Sequence, residues 1–450
     1  MRFVALALIA ACNATPTPPA PAVATPGAKP SFPNVPATAP GDQLAWVLDV
    51  LVHRQGKVEP AELEAHFHPT FLAAVPTAQL VRMFGQLAKQ FAGVTIGDAK
   101  GDDLHLVAHA TVGPAKLKID VQLDAASGKM AGLVVHPDID PALAPKSWQD
   151  AQTKLAAVAP HASLYVASLD RGACQPLHAL EPTAELAIGS AFKLYVLLGL
   201  ADQMIAGKLT WDRKLAVRDR WKSLPSGITQ NDREGTELAI QTLAERMISI
   251  SDNTAADLLL YTVGRTSVEA ALREAKHARP ALDMPFLGTR ELFILKLGSA
   301  GERTAYLALP EAKRRSWLDQ TLADQRPSLA GAAAWKTARQ VDRLEWFASG
   351  EDLCNVMGAL WTRAQDPRAA PLLGVLAKSP GIPIDPKAWP YVGFKGGSEP
   401  GVLELTFLLR RADDKWFVVS LTANANEGGT VDDSQVLPIA SGVIDLLAHG

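Results

Sequence analysis

The sequence predicts an α/β protein of the α+β kind: an antiparallel sheet flanked by helices and joined to an all-helical lobe, preceded by a smaller α+β module. Three observations predict it. Between Pro145 and Gly450, strand-like segments stand near both ends and helix-periodic sequence fills the middle. Between Gly41 and Pro141 the helical period comes first and alternation follows. The chain of 450 residues is 48% hydrophobic, 20% charged and 6% aromatic, ordinary for a protein that buries a large core.

In chain order, the first element is MRFVALALIAAC, where Arg2 precedes an apolar run ending at Ala11. This run falls well short of the ~20 residues that span a bilayer as a helix, but suits the apolar core of an export signal. Ile9-Ala10-Ala11-Cys12 resembles the bacterial lipobox, which implies lipidation of Cys12 and a membrane-anchored lipoprotein on the periplasmic face or cell surface. An ordinary secretory signal with an incidental cysteine is the alternative. Residues 1–12 are then signal. Residues 13–40, rich in Pro, Ala and Thr, read as an extended tether.

The module at 41–141 opens with DQLAWVLDVLVHRQGKVEPAELEAHF and AQLVRMFGQLAKQFAG, both helix-periodic. It continues with HLVAHATV, KLKIDVQLD and GKMAGLVVHP as a meander of strands. The pairs His66/His68 and His105/His109 lack a third ligand at a fixed offset, so no metal site is expected. The unit at 145–450 begins with the helical SWQDAQTKLAAVA and the strands ASLYVASLD and QPLHAL. Strands return in YVGFKGG, GVLELTFLLRR and KWFVVSLTANA before a final amphipathic helix, SQVLPIASGVIDLLAH. One sheet assembled from the two ends of this unit, with helices inserted in its middle, accounts for the order.

A net charge of −3 gives no electrostatic footprint for nucleic acid. Three cysteines, Cys12, Cys174 and Cys354, are too few for a disulfide framework and form no C-x-x-C pair. Cys174 and Cys354 read most simply as buried free thiols, with a bridge as the alternative outside the cytoplasm.

Three weak signals carry chemistry. In AIGSAFKLYVLLGL, Ser190 and Lys193 share one helical face. A serine hydroxyl needs a base to become a nucleophile, and a lysine among apolar side chains has the lowered pKa that makes it one. A helix N-cap followed by a surface lysine fits the same spacing. In ERMISISDNTAADLLL, Ser251, Asp252 and Asn253 interrupt apolar helical sequence and need partners or a cavity. A proton relay through Ser251 and a substrate contact from Asn253 suit them, as does a plain Asp-Asn turn. In YVGFKGGSEPGVLELTF, Lys395 offers charge to a substrate carboxylate, and the glycines permit close approach, unless they mark a bulge.

The order of these motifs resembles the S-x-x-K, S-D-N, K-T-G series of class A β-lactamases and penicillin-binding proteins, over Pro145 to Gly450. GKLTWDRKLAV, LPSGITQ and SGEDLCNVMGAL agree with it. The resemblance implies a serine hydrolase that opens β-lactams or related amides and esters, with β-lactam catabolism and resistance in its range. It implies Ser190 as acylated nucleophile, Lys193 as base, Ser251 as proton shuttle, and Asn253, Lys395, Gly397 and Ser398 as substrate-binding residues. The amides of Ser190 and Ser398 would form the oxyanion hole. No cofactor and no metal are implied.

Two departures stand out. Gly396 occupies the family's threonine or serine position. Glu291, in FLGTRELFILKL, stands where the deacylating glutamate is expected, but Leu295 replaces the asparagine at i+4. Glu291 is the deacylation base, or a helix-start glutamate favoured by the dipole. Without that base the protein would act as a D,D-peptidase, penicillin-binding protein or slow esterase on peptidoglycan-like substrates; a non-turnover binding or sensing lipoprotein is a further reading. The segment from Leu297 to Leu344 exceeds the family's usual length and is a candidate lid. The two-module order also resembles the lactamase-like protein of clavulanic-acid gene clusters, whose first domain is cystatin-like. Oligomeric state is not legible.

Overall fold

A computed structural model describes residues 31–449 except 114 and 225. Cys12, the signal and most of the tether lie outside the described residues. The chain forms two compact units that divide at Ile139/Asp140.

In the first unit, helices α1 (Ala39–Val52), α2 (Pro60–His66), α3 (Pro69–Ala74) and α4 (Thr77–Gln90) precede four strands. These are β1 (Thr95–Gly101), β2 (His105–Val112), β3 (Ala115–Leu123) and β4 (Met130–Pro137), an antiparallel meander in the order β1-β2-β3-β4. Pro at the start of α1, α2 and α3 supplies a pre-set φ where the missing N–H costs nothing. β1 is a strand that periodicity did not reveal. Of TIGDAKG only Ile96 is buried, so it carries no alternating apolar signal. His66 stacks on Trp46 with ring centroids 3.8 Å apart, and His109 Nδ1 lies 2.7 Å from Asp138.

The second unit runs α5 (Trp148–Val158), β5 (His161–Asp170), β6 (Ala173–Leu180), β7 (Leu186–Ala187) and α6 (Lys193–Ile205). It continues with β8 (Lys214–Ala216), β9 (Glu237–Ala239), α7 (Ile240–Ser249), α8 (Asn253–Val263), α9 (Arg265–Glu274) and α10 (Thr289–Leu297). Next come α11 (Ala300–Ala308), α12 (Glu311–Ser316), α13 (Leu329–Ala334), β10 (Phe347–Ala348), α14 (Gly350–Arg363) and α15 (Pro371–Leu376). The unit closes with β11 (Tyr391–Glu399), β12 (Val402–Arg410), β13 (Trp416–Asn424) and α16 (Asp433–His449). The main sheet has the order β11-β12-β13-β5-β6, all antiparallel, so strands from the two ends of the unit meet at the β13/β5 pair.

Every residue of β12 from Val402 to Leu409 is buried, as befits a central strand covered on both faces. α5 and α16 pack together on β5 and β13, while Gly350 of α14 approaches so closely that a β-carbon there would lie 2.6 Å from Tyr165 Cβ. α6 is buried continuously from Lys193 to Ala201, which explains why that stretch is apolar except for Lys193: it runs through the centre of the core rather than along a surface.

Cys174 and Cys354 form a disulfide between β6 and α14. This corrects the expectation of free thiols; the bridge links positions 180 residues apart and leaves no local sequence signal. The long segment after Leu297 folds as helices α11 to α13. It buries Tyr306, Leu318 and Leu322 in the main core, and Arg290 donates to the carbonyls of Leu322 and Gln325 at 2.7 Å. Among the described residues no helix is long and apolar enough to cross a membrane.

Candidate active site

Ser190 sits in a 3-10 turn, Gly189–Phe192, that leads directly into α6. Gly189 has φ +47° and Ser251 has φ +54°, so both motif corners rest in the left-handed region, an uncommon conformation for a serine. The stack of Phe192 on Trp346, with centroids 3.8 Å apart, holds the turn from below.

The Lys193 amine is fully buried and meets four oxygens: Ser190 Oγ at 3.1 Å, Ser251 O at 2.7 Å, Ser251 Oγ at 3.0 Å and Asn253 Oδ1 at 2.8 Å. Ser251 O and Asn253 Oδ1 accept only, and both are satisfied by the two N–H bonds of a neutral amine, which leaves its lone pair for a serine hydroxyl. Burial, then the nearby Lys395 charge, hold the Lys193 pKa well below its ordinary value. Lys395, on β11, reaches Ser251 Oγ at 3.2 Å and also donates to Gly396 O. Burial lowers its pKa to about 7, opposed by the carboxylate of Glu404. Ser190, Lys193, Ser251, Asn253 and Lys395 are therefore joined in one hydrogen-bonded cluster.

The S-D-N corner is built by Asp252. Its carboxylate caps α8 at Ala255 N (2.9 Å) and accepts from the amides of Ile228 (2.7 Å) and Thr229 (2.8 Å). Gly227, at φ +84°, packs so tightly there that a β-carbon would meet the Asp252 side chain at 2.4 Å. Asn253 Nδ2 donates to Leu224 O at 3.3 Å.

β11 brings Gly397 against the nucleophile turn. A β-carbon on Gly397 would lie 1.9 Å from Ile188 O and 2.7 Å from Ser190 N, and one on Gly189 would lie 3.2 Å from Ser398 N. The amides of Ser190 and Ser398 thus stand beside one another, and only glycine permits it. Gly396 has its own reason. The Phe394 ring covers its face, so a β-carbon there would meet Phe394 Cζ at 2.7 Å, and no hydroxyl-bearing side chain fits without moving that ring.

Glu291 is not part of this cluster. It stands in the first turn of α10, with Oε1 2.7 Å from Arg265 Nη2, Oε2 3.1 Å from Arg265 Nη1, and Gly288 N donating to Oε2 at 2.8 Å. Among the described residues it makes no hydrogen bond to Ser190, Lys193, Ser251 or Asn253. Arg265, its bidentate partner, escaped sequence reasoning because nothing local connects α9 with α10. Thr289 ties the same turn to the site, its hydroxyl donating to Asn253 O at 3.2 Å.

Three more buried acids escaped notice. Glu404 on β12 lies opposite Gly397 and accepts from Thr406 Oγ1. Glu399 on β11 shares Lys296 with Glu345, and all three are buried. For Glu404 and Lys296 the signal was a charge inside an otherwise apolar run, as in VLELTF and FILKLG. Among the described residues, Glu185, His277 and Asp352 approach one another as metal ligands would. The fold already uses two of them. His277 Nε2 lies 2.8 Å from Phe347 O and its Nδ1 accepts from Arg279 N, while Asp352 caps α14.

Residues 147–378 match the model of the β-lactamase enzyme family, and residues 35–128 match the N-terminal domain of the ORF 12 gene product. A search of curated protein sequences finds no match. Among solved structures, the chain is similar to a β-lactamase from Sphaerobacter thermophilus, at 17% identity and TM-score 0.47, covering 68% of this chain and 98% of that one. A class A β-lactamase of the last common ancestor of Gram-negative bacteria gives 16%, 0.47, 67% and 98%, and PBP-A gives 15%, 0.44, 67% and 96%. Because the family model spans more than half of the chain, the protein belongs to the β-lactamase enzyme family.

Proposed function

We propose that residues 145–450 are a serine hydrolase that opens β-lactams, or related amides and esters, through an acyl-enzyme on Ser190. One observation carries the reading: a fully buried amine, Lys193, within 3.1 Å of Ser190 Oγ and 3.0 Å of Ser251 Oγ. In acylation, Lys193 takes the proton of Ser190 as Oγ bonds to the carbonyl carbon. The oxygen gains charge beside the amides of Ser190 and Ser398, where preorganised donors stabilise it. Lys193 passes its proton through Ser251 Oγ to the leaving nitrogen, and the C–N bond breaks. Lys395 attracts the substrate carboxylate, and Asn253 fixes the Lys193 amine.

The engagement of Glu291 by Arg265 favours a second reading, in which deacylation is slow and the protein behaves as a penicillin-binding protein or D,D-peptidase. The disulfide supports export, since such bonds persist in oxidising compartments. We therefore propose the lipidated Cys12 as an anchor, tested by lipid labelling of the wild type against Cys12→Ser. The enzymatic reading is tested by hydrolysis of a chromogenic β-lactam and a chromogenic ester with wild type and Ser190→Ala. Turnover or a stoichiometric burst lost in the variant supports it; no reaction with either substrate overturns it.

A further inference from the structure

We infer that Glu185, His277 and Asp352 bind a divalent transition-metal cation, zinc in the first instance, which pins the strand leading into the Ser190 turn. The site shares no residue with the Lys193 cluster, and the inference does not rest on the acyl-enzyme.

Three segments remote in sequence meet here. Glu185 immediately precedes β7, which leads into the turn that carries Ser190. His277 follows α9, and Asp352 lies in the first turn of α14. One ligand atom of each stands within 4.8 Å of the other two. Zinc holds nitrogen and carboxylate ligands at about 2.0–2.2 Å, so a small rotation of the Glu185 side chain, which makes no hydrogen bond, closes all three on one ion.

The bonds that His277 and Asp352 already make set them up as ligands. Phe347 O, 2.8 Å from His277 Nε2, only accepts, so the ring proton is on Nε2 and the lone pair on Nδ1. A ligating imidazole ordinarily gives its other N–H to a carbonyl or carboxylate in this way, which fixes the ring. The amide of Arg279, an exposed residue, reaches Nδ1 at 3.2 Å, and an ion there would turn it to solvent. Asp352 accepts from Ala278 N at 2.7 Å through Oδ1 and from the Ser349 hydroxyl at 2.6 Å through Oδ2. Its carboxylate is thereby held in place with lone pairs to spare.

The atoms around this centre lack partners. Both carboxylate oxygens of Glu185 are shielded from solvent, and among the described residues neither has a hydrogen-bond partner. The same holds for the Tyr195 hydroxyl, on a residue 1% exposed. The Tyr195 ring lies 5.8 Å from that of His277, and the acids that bear on its hydroxyl are Asp352, Asp283 and Glu185, in that order, then Glu404. That hydroxyl faces the same centre. Asp283 Oδ2, 3.4 Å from His277 Nε2, adds a further buried carboxylate. The cation set against Glu185 is Arg279. Partnerless buried oxygens among acids that repel one another are what a bound cation satisfies. An imidazole among the ligands favours zinc over magnesium or calcium, which take oxygen throughout.

The test titrates zinc chloride into the full chain, stripped with a chelator, by calorimetry beside a melting curve. Wild type should bind one zinc per chain at this site and melt at a higher temperature with zinc than with chelator. Glu185→Gln removes a carboxylate that makes no hydrogen bond, so in chelator it should melt as wild type does, yet bind zinc about a hundredfold or more weaker and lose the rise in Tm. His136→Ala removes the partly exposed His136–Asp120 pair of the first unit, and should keep both the zinc and the rise. No zinc on wild type overturns the inference, as does zinc affinity unchanged in Glu185→Gln, or zinc lost in His136→Ala alone.

Discussion

Lys193 and Lys395 share a buried site, and the charge of Lys395 opposes a charge on Lys193. Lys193→Met keeps the packed stem but removes the base and the donor to Ser251 O and Asn253 Oδ1. Acylation should fall about 10²–10⁴-fold with the fold retained, read as labelling rate beside a melting curve. The two lysines also set a pH window. Lys193 acts as a base only when neutral, so its limb of the acylation rate rises with pH. Lys395 attracts a carboxylate only when charged, and its pKa is lowered to about 7, so affinity for an anionic substrate should fall as pH rises through that value. A pH profile of kcat/KM should therefore be bell-shaped for a penicillin and lack the falling limb for an uncharged ester; identical profiles would contradict the role of Lys395. At Gly397, a single methyl meets Ile188 O and Ser190 N at impossible distances. Gly397→Ala should abolish acylation while Gly396→Ala, opposed only by the Phe394 ring and Glu404 O, should weaken it.

At the scale of elements, the corner between α7 and α8 is held by one side chain. Asp252→Ala would strip the α8 cap and leave the amides of Ile228 and Thr229 unsatisfied, a loss of about 3 kcal/mol or more, measured by denaturant unfolding. That corner was legible because its residues are contiguous and break an apolar run. The sheet assembled from both ends of the unit was legible for a similar reason: β5, β12 and β13 are dense in apolar residues, and the helices lie between. β1 was not, since Gly97, Asp98 and Lys100 erase its alternation. The environment of Glu291 was not legible either. Glutamate at a helix start follows from local sequence, but whether its carboxylate faces the nucleophile depends on Arg265 at the start of α9, and tertiary packing decides that. The Lys296–Glu345–Glu399 cluster lies further still from local reading, with partners 49 and 103 residues from the lysine.

For the whole molecule, the Cys174–Cys354 bridge closes a loop of 180 residues, so it restricts the unfolded chain strongly. Its loss in Cys354→Ser should cost about 2–5 kcal/mol, seen as a fall in Tm of several degrees. The cysteines lie far apart in sequence, and only the juxtaposition of β6 with α14 reveals the pair. The motif order identified the second unit, because S-x-x-K leads into α6, S-D-N leads into α8 and the lysine-glycine segment lies within β11, and the fold brings all three together. The central claim is that this point forms a covalent bond through Ser190. Its most direct measurement is peptide mapping by mass spectrometry after brief incubation with penicillin. A mass increase equal to one penicillin on the peptide containing Ser190, absent in Ser190→Ala, is the result the account predicts. An unmodified Ser190 peptide together with intact penicillin would contradict it.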